Sequence, residues 1–138
     1  MQSTKLTVST TVDKDINTVW DCYTQPQHIT QWNFATDDWQ CPTAENDLQA
    51  GGKYKARMEA KDGSFGFDFE AIYDEVEDKK KLAYTMTDGR QAITDFKDVN
   101  GKTIVTTAFD PESVNPVEMQ QQGWQMILEN FRKYSETR

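Results

Sequence analysis

The sequence predicts an α+β fold in which six antiparallel strands form a curved sheet. Two short helices follow the first strand, and a long C-terminal helix packs on the sheet. Three observations predict this. Residues 53–109 alternate between apolar and polar in runs broken by Asp62-Gly63, Asp88-Gly89 and Asn100-Gly101, dipeptides that favour tight hairpins. Residues 115–136 carry an apolar stripe at helical spacing. Between the first strand and the alternating region, the period lengthens to that of two brief helices.

In LTVSTTV, Leu6, Val8 and Thr10 share one face of a strand. Ile16, Val19, Trp20 and Tyr23 then recur at i, i+3, i+4 and i+7, with Asp13 as the expected N-cap and Asp15 in the first turn. Pro26 suits the first position of a second short helix, in which Ile29 and Trp32 share a face. Residues 33–50 have no period and read as a long loop.

After Gly51-Gly52, KYKARMEA puts Tyr54, Ala56 and Met58 on one face. FGFDFEAIYDEV follows, with Phe65, Phe67, Phe69, Ala71 and Tyr73 inward, and then LAYTMT, RQAITDFKDV and KTIVTTAF. Five consecutive strands with short turns make an antiparallel meander, one face apolar and one wet. Asn115 as N-cap and Pro116 at the first helical position open the last helix. Its stripe is Val117, Trp124, Ile127, Leu128, Phe131 and Tyr134. Gly123 weakens that helix by about 1 kcal/mol relative to alanine, and close approach to a neighbouring element is the expected compensation.

At 138 residues the chain reads as one domain, residues 1–138. An apolar fraction of 36% predicts a modest core rich in large aromatics. The net charge of −8 disfavours nucleic acid and anionic membrane surfaces as partners. No apolar stretch is long enough to span a bilayer, and the N-terminus lacks the apolar centre of a signal peptide. Cys22 and Cys41 are expected as free thiols in a cytoplasmic protein.

The order of elements resembles the helix-grip fold of the START-like, birch-pollen-allergen-like superfamily (SRPBCC). Within it, the chain resembles the branch named after activators of the 90-kDa heat-shock chaperone ATPase. The matching residues are Val19-Trp20-Asp21, Pro26 followed by Trp32, Gly51-Gly52-Lys53-Tyr54, Asn100-Gly101-Lys102-Thr103, and Gly123-Trp124 with Leu128. The match runs over residues 4–136. The resemblance implies a cavity between sheet and terminal helix, opening near the short helices and the loop after them, which takes a lipid, sterol, polyketide or aromatic metabolite. The expected lining is Met58, Phe67, Phe69, Tyr84 and Met86 facing Trp124 and Leu128, with Trp32 and Trp39 at the rim. The same spacing would also be produced by residues that simply fill a core.

The stretch HITQWNFATDDWQC, residues 28–41, concentrates the residue types that chemistry uses. His28 is the chain's one histidine and is expected at the surface of a short helix. With Cys22 and Cys41 it lacks metal-site spacing, and Asp37 and Asp38 read as loop solvation. There is no phosphate-cradling glycine loop and no serine elbow, so no cofactor, metal or catalytic residue is assigned. The favoured reading is non-catalytic binding or carriage of a small hydrophobic molecule. A protein-interaction module, acting on a chaperone, is the first alternative. The eukaryotic co-chaperones of the resembled branch carry a further N-terminal domain, which is not expected here because the sequence opens directly on the first strand. A cyclase or hydrolase using the same cavity is the second alternative.

Overall fold

The architecture is an antiparallel sheet curled around one face of a long helix, described for residues 5–138 of a computed structural model. Residues 1–4, the start of the segment read for a signal peptide, lie outside the described residues. The chain runs β1 (Leu6–Val12), α1 (Ile16–Thr24), α2 (Pro26–Trp32), β2 (Trp39–Gln40), β3 (Ala44–Asn46) and β4 (Lys53–Ala60). It continues through β5 (Gly66–Glu77), β6 (Lys81–Met86), β7 (Gln91–Val99), β8 (Lys102–Phe109) and α3 (Val117–Ser135). The sheet has eight strands in the order β1-β8-β7-β6-β5-β4-β2, with β3 also pairing with β4. The expected count of six is therefore too low. Both additional strands lie within residues 33–50, and they exist by pairing with β4, Trp39 opposite Ala60 and Ala44 opposite Ala56. Segments of two and three residues are too short to show a period.

The meander follows its turn chemistry. Asn100 and Gly101 both adopt positive φ, 54° and 85°, the geometry of a tight two-residue hairpin. The β5–β6 register shifts between Tyr73 and Glu75, and such bulges bend a strand and increase its twist. Gly52 is required by close approach, since a Cβ there would lie 2.0 Å from the Asp47 carbonyl oxygen.

The core lies between the concave face of the sheet and the three helices. Val12, Val19, Ile29, Val105, Phe109 and Phe131 are fully buried in it. Inward alternation holds along β5 for Ala71 and Tyr73 but fails at its start, where Phe65 is 61% exposed. That residue lies in the β4–β5 turn, before the strand begins and beyond the reach of α3.

Helix starts differ slightly from expectation. Asp15, not Asp13, caps α1, its carbonyl accepting the Val19 N–H at 3.1 Å. The Thr103 hydroxyl donates to the Lys14 carbonyl at 3.0 Å, tying the preceding chain to β8. Pro116 rather than Asn115 caps α3 and accepts the Met119 and Gln120 N–H groups. Along β1, the edge left open by β8 is closed by α3: Gln121 and Gln125 donate to the Thr7 and Ser9 carbonyls at 2.9 and 3.0 Å. A bare edge of this kind would be a site for unwanted pairing.

Gly123 does not mark a close approach, because a Cβ built there meets nothing within 4 Å. Gly123→Ala should therefore raise stability by about 0.5–1 kcal/mol, through helix propensity and a less flexible unfolded chain. Urea unfolding checks this, and a loss of stability would contradict the open space beside the helix.

Candidate functional site

A cavity of about 330 Å³ lies between the sheet and α3. Seven of the nine residues expected around it do line it: Trp32, Met58, Phe67, Phe69, Tyr84, Trp124 and Leu128. Trp39 and Met86 lie elsewhere. Trp39 sits on β2 with its ring 5.9 Å from Phe65 and 6.3 Å from Phe67, beside the cavity wall rather than in it. Met86 is 5% exposed and belongs to the packed core.

Each wall has a local origin. Alternation along β4 and β5 presents Met58, Phe67 and Phe69, and the ring of Phe69 lies 6.0 Å from Tyr54 and 5.9 Å from Tyr84. The Tyr54 and Tyr84 rings are near-parallel, 12° apart with centroids at 6.0 Å. From α3, Trp124 stacks on Phe109 at 4.0 Å and 7°, which fixes one face of the indole. The inner end is closed by Tyr23 and Trp32, whose rings both meet Phe131 edge-on at 5.1 and 5.0 Å. Trp32 is locked by its indole N–H, which donates to the Cys22 carbonyl at 2.8 Å.

The outer end carries Phe67, Arg90, Glu112 and Gln120. In an antiparallel meander the start of β5, the start of β7 and the end of β8 lie together, so these residues gather at one end of the sheet. Phe67 is exposed there. The opening is thus among the hairpin tips and the β8–α3 connection. The short helices, expected near the mouth, close the opposite end.

Polar groups missed by the sequence reading also line the cavity. Tyr23 Oη lies 3.4 Å from Thr94 Oγ1, which lies 2.9 Å from Thr107 Oγ1. Asn33 Nδ2 donates to the Tyr54 hydroxyl at 3.4 Å, and the Tyr73 hydroxyl donates to Asn46 Oδ1 at 2.8 Å. Tyr54, Tyr73 and Thr94 are inward positions by simple alternation. Alternation gives their face but does not distinguish a hydroxyl that lines a cavity from one packed in a core.

Burial pushes the Tyr54 and Tyr84 phenols well above their ordinary range, and it raises Tyr23 and Tyr73 as well. All four are therefore neutral at ordinary pH, able to give and take hydrogen bonds. Cys22 and Cys41 are free and buried. Burial raises the Cys22 thiol, and pushes the Cys41 thiol up to about 11.

The native state thus holds a proton on Cys41 that the unfolded chain releases near the ordinary thiol value of 9.0. This contribution to stability is complete below that value and is lost as pH rises toward about 11. The raised phenols act in the same direction at higher pH. Urea unfolding measured from neutral pH upward should show stability falling above about pH 9, and a rise across that window would contradict the buried, protonated assignment.

His28 lies on α2 away from the cavity, half-buried rather than on the open surface, with Nδ1 hydrogen-bonded to the Tyr134 hydroxyl. Asp37 and Asp38 are exposed. Among the described residues, no group of three or more His, Cys, Asp or Glu side chains is placed to hold a metal ion. No helix among them is long and apolar enough to cross a membrane.

The family model described as "Activator of Hsp90 ATPase homolog 1-like protein" matches residues 13–136. The chain belongs to this family. No curated protein matches it. Among solved structures, an AHSA1-like protein from Aeromonas hydrophila is 37% identical with a TM-score of 0.87, over 96% of this chain and 93% of that one. A protein from Cytophaga hutchinsonii is 44% identical with a TM-score of 0.83, over 96% and 92% of the two chains. A protein from Nitrosomonas europaea shares the fold at 19% identity, with a TM-score of 0.84 over 97% and 95% of the chains. The helix-on-sheet architecture is thus shared by proteins of low sequence identity.

Proposed function

We propose that this family member binds a small, largely apolar molecule in the cavity between sheet and α3, without transforming it. The observation that carries this is the cavity itself. Its volume of about 330 Å³ falls in the range of small-molecule sites, about 300–1,000 Å³. Aromatic and aliphatic walls with a few convergent hydroxyls are the usual composition of such sites. The raised phenol and thiol pKa values keep these groups protonated at neutral pH, which removes them as bases and nucleophiles there. Two free thiols suit a reducing compartment, which favours the cytoplasm.

Native mass spectrometry of freshly purified protein tests this reading. A bound species of small-molecule mass that disappears from Met58→Trp protein is the expected result. Wild-type protein that carries no adduct and ignores the neutral probe N-phenyl-1-naphthylamine would contradict it.

A second reading, association with a chaperone, is favoured by the family's description and by the exposed Phe65 and Phe67 beside Trp39. Calorimetric titration against a 90-kDa heat-shock chaperone tests it. Binding weakened by Phe65→Ser would support it, and absence of binding would exclude it.

A further inference from the structure

We propose that Tyr84 and Arg90 form a head-group anchor inside the cavity, so that the ligand is an amphipathic acid, an apolar body ending in a carboxylate. This deepens the binding function proposed above and rests on it.

The anchor begins with a hydrogen-bonding imbalance. Three of the four cavity phenols are held: Tyr23 by Thr94, Tyr54 by Asn33 and Tyr73 by Asn46. Among the described residues, the Tyr84 hydroxyl has no partner. Yet the side-chain atom that is both fully enclosed and unpartnered among them is Ser135 Oγ. The Tyr84 hydroxyl must therefore open on the space it lines. An apolar ligand that fills this space excludes water from the phenol, and a ligand oxygen that accepts its proton then supplies the missing partner.

The second group follows from register. Tyr84 on β6 is directly opposite Ala92 on β7. Arg90 precedes Ala92 by two residues, so the pleat directs it to the same inner face, as the diagonal neighbour of Tyr84. It is the one cation among the lining residues. Asp88 Oδ2 accepts from Arg90 Nε at 2.7 Å and orients the guanidinium. The two terminal nitrogens have no partner among the described residues, and a guanidinium edge suits a carboxylate.

Three carboxylates stand near this arginine, and each is engaged. Asp88 takes the Nε hydrogen. Asp110 accepts from the Lys5 ammonium at 2.8 Å and from the Gln91 N–H at 2.9 Å. Glu112, at the cavity mouth, accepts the Asn115 and Val114 N–H groups at 2.7 and 3.2 Å, which holds its oxygens against its own loop. The apolar body of the ligand would then lie against Met58, Phe69, Trp124 and Leu128.

A matched series tests the anchor: decanoate, decanol and decylammonium, titrated calorimetrically into the full chain at neutral pH. Decanoate should bind about tenfold more tightly than either partner in the series. Arg90→Gln should remove about that factor for decanoate and leave decanol unchanged. Tyr84→Phe keeps the ring and the fold, and should also weaken decanoate. Met58→Trp should abolish binding of all three. Equal affinity for the three head groups, or decanoate binding that survives Arg90→Gln, would overturn the anchor while leaving the cavity reading intact, whereas decanoate binding that survives Met58→Trp would contradict both. Failure of all three to bind would contradict the cavity reading and the anchor with it.

Discussion

Phe131→Ala is expected to lower stability by about 3–5 kcal/mol, the range for removing a large aromatic from a packed core. Phe131 is fully buried on α3, and its ring meets those of Tyr23 and Trp32 edge-on at 5.1 and 5.0 Å. The substitution removes both aromatic contacts, worth about 0.5–1.5 kcal/mol each beyond burial, and leaves a void beneath the helix. A domain of this size has about 5–15 kcal/mol in total, so the variant should melt roughly 10–20 °C lower. Trp124→Leu should cost less, although tryptophan is the larger side chain. One face of Trp124 stacks on Phe109, but the residue also borders the cavity and has fewer neighbours to lose. Thermal melts of the two variants check the contrast. A milder effect at Phe131 than at Trp124 would mean that the closed inner end is not the centre of the core.

Met58→Trp is expected to eliminate probe binding while changing stability by less than about 1 kcal/mol. Met58 points into open space, so the indole fills the cavity without displacing neighbours. Met86→Trp gives the opposite result. Met86 is 5% exposed within the packed core, and enlargement there should cost about 1–3 kcal/mol by overpacking while leaving an empty cavity able to bind. Melts paired with titrations of N-phenyl-1-naphthylamine check both. Equal destabilisation by the two enlargements would show that the space beside Met58 is closed.

These two methionines also show where the sequence stops being legible. A period of two identifies the face of a strand, and it placed Met58, Phe69, Tyr84 and Met86 on the inner face of the sheet. It carries no information on whether the volume in front of that face is filled or empty. That depends on how the sheet curls and how α3 crosses it. The long elements were readable because their stripes are long and their turns carry Asn-Gly or Asp-Gly. The strands β2 and β3 were not, since β4 supplies their pairing and their own residues carry no period.

Arg90 escaped notice for a related reason. It opens the strand RQAITDFKDV, where parity with Ala92 sends it inward, but alternation does not show that a cavity lies in front of it. Gly123 misled in the other direction. Glycine in a helix often permits close approach, but here it faces open space.

The most direct test of the central claim is residue-resolved. Amide chemical shifts of the isotope-labelled chain should be followed while N-phenyl-1-naphthylamine is titrated in. A ligand in the cavity predicts saturable shifts concentrated at Met58, Phe69, Tyr84, Trp124 and Leu128, with little change on the outer face of the sheet at Ile72 or along the Asp37–Asp38 loop. Shifts confined to the exposed Phe65 and Phe67, or no saturable shifts at all, would contradict it.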